Sequence, residues 1–115
     1  MTNGAPYSPV VRAGDWVIVS GQIGLTPDGL DDTMAAQLRV ALDHLVDRLA
    51  EHGATVDDVA KTTVFLTSMD DYAEMNRVYL ETFTGTPPAR SAVAVAELPL
   101  GALVEVEAWA FLGAD

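Results

Sequence analysis

Leu103-Val104-Glu105-Val106-Glu107-Ala108-Trp109-Ala110-Phe111 is the stretch on which the fold turns. Its β-branched and aromatic residues predict a strand. Side chains alternate along a strand, so Val104, Val106, Ala108 and Ala110 point one way and Leu103, Glu105, Glu107, Trp109 and Phe111 the other. Neither face is cleanly polar. Trp16 to Ile23 (WVIVSGQI) behaves alike, with Val17, Val19 and Ile23 opposing Trp16, Ile18, Ser20 and Gln22. Such strands need a cover on both faces.

Outward from these strands, only two segments can supply helices. Asp31 to Glu51 carries Met34, Leu38, Ala41, Leu42, Leu45 and Leu49 at helical spacing, with Asp31 and Asp32 at its N-terminal end and Gly53 as its stop. Ser68 opens a second helix whose apolar face holds Tyr72, Met75, Tyr79 and Phe83, broken by Gly85-Thr86-Pro87-Pro88. Tyr7 to Val11, Val59 to Thr67 and Arg90 to Val95 complete the strands, and Thr26-Pro27-Asp28-Gly29 is a turn. The order is β-β-α-β-α-β-β, an α+β layer of a mixed sheet with two helices on one face. The other face stays apolar and uncovered, which marks an interface and predicts a closed homo-oligomer.

A length of 115 residues suits one domain, residues 1–115. With 17 acids against 6 Lys and Arg, the formal charge is −11, which disfavours nucleic-acid phosphates as partners. The absence of cysteine excludes disulfides, thiolate zinc sites and cysteine nucleophiles. No apolar run reaches membrane-spanning length, and Met1 to Pro6 shows no signal peptide pattern, so a cytoplasmic location and no membrane partner are expected. His44 and His52 lack clustered acids, so no metal site is expected, and neither a phosphate-binding glycine loop nor a dinucleotide fingerprint occurs.

The net charge makes each cation informative. From Val78 to the C-terminus Arg90 is the only Lys or Arg, against Glu81, Glu97, Glu105, Glu107 and Asp115. It begins a strand after two prolines and shares a face with the small Ala92 and Ala94. Such a guanidinium either grips a carboxylate ligand bidentately or forms a structural ion pair with Glu105 or Glu107. Glu105 sits among apolar neighbours that raise a carboxyl pKa and suit it to proton transfer, a description that Glu107 shares. Asn76 falls inside the second helix's apolar stripe, where a buried amide needs a partner, either a ligand or water or a neighbouring loop. Tyr7 and Ser20 place hydroxyls on or beside strands.

These residues combine into a family pattern. Pro88-Ala89-Arg90-Ser91-Ala92-Val93 followed by Leu103-Val104-Glu105-Val106-Glu107-Ala108 resembles the signature of the Rid family of enamine/imine deaminases, also called the YjgF family. Pro6-Tyr7-Ser8, Val19-Ser20-Gly21-Gln22-Ile23, Lys61-Thr62-Thr63-Val64-Phe65-Leu66 and Met75-Asn76 extend the resemblance over nearly the whole chain. It implies a chorismate-mutase-like fold, a homotrimer with a central barrel core, and ligand sites in clefts between subunits. It implies hydrolysis of 2-imino or 2-enamino acids to 2-keto acids and ammonia, without cofactor or metal. Arg90 would grip the substrate carboxylate, Glu105 would position or activate water, and Tyr7, Ser20, Asn76 and the backbone of Ala92 would line the pocket. Other roles attached to the fold are non-catalytic 2-keto acid binding or sensing, and ribonuclease or translation inhibition. Ala94, where many members carry Glu, and Val106, where Ile or Met is usual, depart from the pattern.

Overall fold

The structure, a computed structural model, describes residues 5–113. Met1 to Gly4, the bulk of the segment read for a signal peptide, lie outside the described residues. The elements are β1 (Val10–Ala13), β2 (Trp16–Gln22), β3 (Leu25–Thr26), β4 (Gly29–Leu30), α1 (Met34–Ala50), β5 (Val59–Leu66), α2 (Tyr72–Thr82), β6 (Ala89–Ala94) and β7 (Val104–Phe111). A five-stranded mixed sheet runs β1-β2-β7-β5-β6, in which only the β5–β6 pair is parallel.

Strand β7 lies at the centre, and its alternation sets the layers. Val104, Val106, Ala108 and Ala110 are fully buried, in one core with Leu38, Leu42, Leu45 and Leu49 of α1 and Met75, Val78 and Tyr79 of α2. That face follows from the sequence periods of both elements. The opposite face has no helix over it among the described residues. It carries Ile18, Phe65 and Trp109, with Trp16, Val93 and Phe111 exposed and the Trp16 and Phe111 rings 4.9 Å apart.

Three local readings change. Strand β1 is Val10–Ala13 rather than Tyr7 to Val11, because the turn at Gly14 (φ +60°) pairs Ala13 with Trp16 and fixes the register back to Val10. Helix α1 starts at Met34, where the Thr33 hydroxyl accepts the Ala36 N–H, so Asp31 and Asp32 precede the helix. It ends at Ala50, and Gly53 (φ +75°) is the expected stop, with Gly53 N–H bonded to Ala50 C=O and Ala54 N–H to Leu49 C=O. The Thr26 turn closes the small β3–β4 hairpin, which the periodicity does not reveal.

The fourth change positions the site. Val19 pairs with Ala108, but Gln22 pairs with Val106, so β2 holds one residue more than β7 over this span. The bulge falls at Ser20–Gly21 and puts Gln22 in register with the inward Val106, not on the outward face with Ile18. Buried Gln37 of α1 secures the other end of the layer by accepting Leu103 N–H (2.8 Å) and donating to Asp31 C=O (2.7 Å).

Candidate active site

Arg90 stands on the open-edge strand β6. Its register partner is Thr62, and that of Ala92 is Val64, both buried, so Arg90 and Ala92 face the helices. The guanidinium lies 5.0 Å from the Tyr79 ring centroid and 5.6 Å from that of Tyr72. Nη2 donates to the Tyr72 hydroxyl at 3.2 Å and Nη1 to Met75 Sδ at 3.5 Å. Among the described residues no carboxylate is within ion-pair distance of it, whereas Arg12, Arg39, Arg48 and Arg77 are each paired with an acid. The ion pair with Glu105 or Glu107 does not form, because both glutamates project from the opposite face of the sheet. Aromatic rings and a thioether hold the cation without neutralising it.

Arg90 borders a cavity of about 480 Å³ lined also by Asn76, Tyr79, Leu80, Pro87 and Pro88. Asn76 also lines it, but its Oδ1 is fully buried and has no hydrogen-bond partner among the described residues, a condition that costs about 1–3 kcal/mol. Below the cation, the Tyr79 hydroxyl meets the Thr62 hydroxyl at 2.6 Å, and burial pushes the Tyr79 pKa up, so the phenol stays neutral. Backbone geometry adds a further group. Val95 N–H bonds to Leu66 C=O, and in a parallel ladder alternate residues bond to one neighbour. The N–H and C=O of Arg90, Ala92 and Ala94 therefore point off the sheet's open edge.

A second cluster occupies the other face. Glu105 pairs in register with Phe65, and burial raises its carboxyl pKa, with the charge of Glu107 adding to the effect. Its carboxyl packs over Gly21 so closely that a Cβ at that bulge position would collide with it. Glu107 instead lies opposite Thr63, so Gly21 separates two glutamates that the sequence left equivalent. Ser20 donates its hydroxyl to Ser8 C=O (2.7 Å) and its N–H to Pro9 C=O (2.9 Å), tying the segment that bears Tyr7 to β2. Tyr7 is exposed and lines a second cavity of about 420 Å³ with Gly21, Gln22, His44, Arg48 and Leu100.

The expected site residues thus fall into two groups. Arg90, Asn76 and Ala92 gather on the α2 side, and Glu105 and Ser20 meet around Gly21, with Tyr7 nearby. Tyr72, Tyr79, Leu80, Pro87 and Pro88 join the first group without having been singled out. A signal existed, since Tyr72, Asn76 and Leu80 recur every four residues beside the buried Met75–Tyr79 row. Among the described residues no cluster of three or more His, Asp or Glu could hold a metal ion, and no helix is long and apolar enough to cross a membrane.

Fold and site together define an α+β protein with an uncompensated arginine at a cavity, suited to receiving a small organic anion. The family model described as Endoribonuclease L-PSP matches residues 1–112. The chain is 38% identical over 109 residues to a RutC family protein of Pyrococcus abyssi, covering 92% of this chain and 86% of that one. It is 38% identical over 111 residues to the 2-iminobutanoate/2-iminopropanoate deaminase of Mus musculus, covering 94% and 82% respectively. The crystal structure of the YjgF gene product from E. coli superimposes with a TM-score of 0.89 at 39% identity, over 94% of this chain and 89% of that one. The chain belongs to the Rid (YjgF) family.

Proposed function

We propose that the protein hydrolyses 2-imino acids, or their 2-enamino tautomers, to 2-keto acids and ammonia in a site shared by two copies of the chain. The observation that carries this reading is the Arg90 guanidinium, free of any acid among the described residues and bordering a cavity of about 480 Å³. A planar cation that donates in parallel pairs matches a carboxylate.

The chemistry asks little more of the protein. A protonated imine carbon is already electrophilic. Water adds to it to give a carbinolamine, a proton moves to nitrogen, the C–N bond breaks, and ammonia leaves as the carbonyl forms. Holding the carboxylate fixes the C=N carbon for attack. A carboxyl whose pKa is raised, as that of Glu105 is, can take the proton of the attacking water and return it to the leaving nitrogen. Arg90 and Glu105 sit on opposite faces of one sheet, so no single chain brings both to one substrate. A neighbouring copy docked by the uncovered apolar face would supply the missing half, and a homotrimer with sites between subunits satisfies that geometry.

The test is release of pyruvate or 2-ketobutyrate from imines generated in situ by a dehydratase. The parent protein is expected to accelerate release, and Arg90→Ala to reduce kcat/KM by about two to three orders of magnitude, as when one partner of a desolvated charge pair is truncated. Saturable 2-keto acid binding without turnover would make it a binding module instead. Strongly salt-dependent RNA affinity would favour the ribonuclease role, which the charge of −11 opposes.

A further inference from the structure

We infer that Tyr72 is a positioning residue for Arg90, setting the direction of its fork and with it the affinity for the carboxylate; this rests on the reading of Arg90 as the carboxylate anchor. The Tyr72 oxygen receives an N–H from Arg90 Nη2 at 3.2 Å, and its ring lies 5.6 Å from the guanidinium carbon. A guanidinium has donors only, so in this contact the phenol must accept, and its own proton points away from the cation. That proton is then free for an acceptor arriving at Arg90, such as a carboxylate oxygen.

Among the described residues no other group orients this end of the fork. Nη1 meets only the soft Met75 sulfur, and the Tyr79 face attracts the charge without selecting a rotamer. An arginine that is not held must be ordered by each ligand it binds, which weakens binding. Tyr72 is poorly explained as a core residue, since it is 39% exposed while Met75 and Tyr79 on the same helix are buried. Among the described residues its hydroxyl has no hydrogen-bond partner other than Arg90.

The experiment compares the parent, Tyr72→Phe and Arg90→Ala by calorimetric titration with pyruvate, by the coupled imine assay and by thermal melting. Tyr72→Phe keeps the ring and removes only the oxygen. It is expected to raise the pyruvate Kd and the KM together by about threefold to tenfold, with kcat within about twofold and an unchanged melting temperature. A purely structural tyrosine would shift the melt and leave the KM-to-kcat split untouched, which overturns the inference. So does an unchanged Kd in a parent that binds pyruvate through Arg90. A parent that binds no pyruvate, or an Arg90→Ala protein that binds it equally well, overturns the Arg90 reading and the Tyr72 inference together.

Discussion

Glu105 and Arg90 show how one sheet gives two ionisable side chains different environments. Arg90 lies against ring faces, whereas Glu105 is partly buried beside a second glutamate and has no cation paired with it among the described residues. The direction of the Glu105 shift fixes a pH dependence. Folding favours its protonated form, so its contribution to stability is full below the ordinary carboxylate range and is lost as pH rises through the raised value. Glu105→Gln is therefore expected to be more stable than the parent at neutral pH and to lose that advantage on acidification, in urea titrations at two pH values. The same variant is expected to lose about 100-fold or more in imine hydrolysis, the scale of a missing proton-transfer group. An acid–base residue that destabilises its own fold is a common cost of function.

At the scale of elements, the β2 bulge sets Glu105 apart from Glu107, and in the proposed reaction makes it the acid–base group. Because Gly21 has no Cβ, the Glu105 carboxyl can settle on the strand backbone. Gly21→Ala would drive a methyl group into the end of a flexible side chain, which can rotate away. The expected result is a change in melting temperature of only a few degrees, for a cost of about 1 kcal/mol, with kcat down tenfold or more. A loss of fold with no selective loss of kcat would contradict this.

The bulge also marks where legibility ends. Strict alternation gave the buried rows of β7 and the Val17–Val19 row of β2, and helical spacing gave the Leu38–Leu49 stripe of α1. Those patterns are set by periods that leave a trace in sequence. An inserted residue leaves only a glycine, which has many other causes, so Gln22 was assigned to the wrong face. Alternation shows that Arg90 shares a face with Ala92, but neither which face that is nor what lies beside it. Contact with Tyr72, Met75 and Tyr79 depends on how α2 lies across the sheet, which no local pattern encodes.

For the whole molecule, the division of the site between faces yields a test by mixing. Arg90→Ala and Glu105→Gln chains are each expected to be nearly inactive alone. Refolded together, they should regain roughly a quarter of parent activity in a randomly mixed threefold assembly, since each mixed trimer holds one site with both native side chains. No recovery in demonstrably mixed assemblies would mean that the two groups do not cooperate across chains.

The ion pairs have a consequence for how quickly a ligand arrives. Four of the six cations are already tied to adjacent acids, so an approaching anion first meets a body of charge −11 and senses Arg90 only at short range. The molecule is a poor lure for its own ligand. Dissolved salt shortens the reach of that repulsion to about 8–10 Å at physiological strength. Encounter should therefore quicken as sodium chloride is added to a dilute buffer, with kcat/KM climbing where an attractive enzyme–substrate pair would slow down.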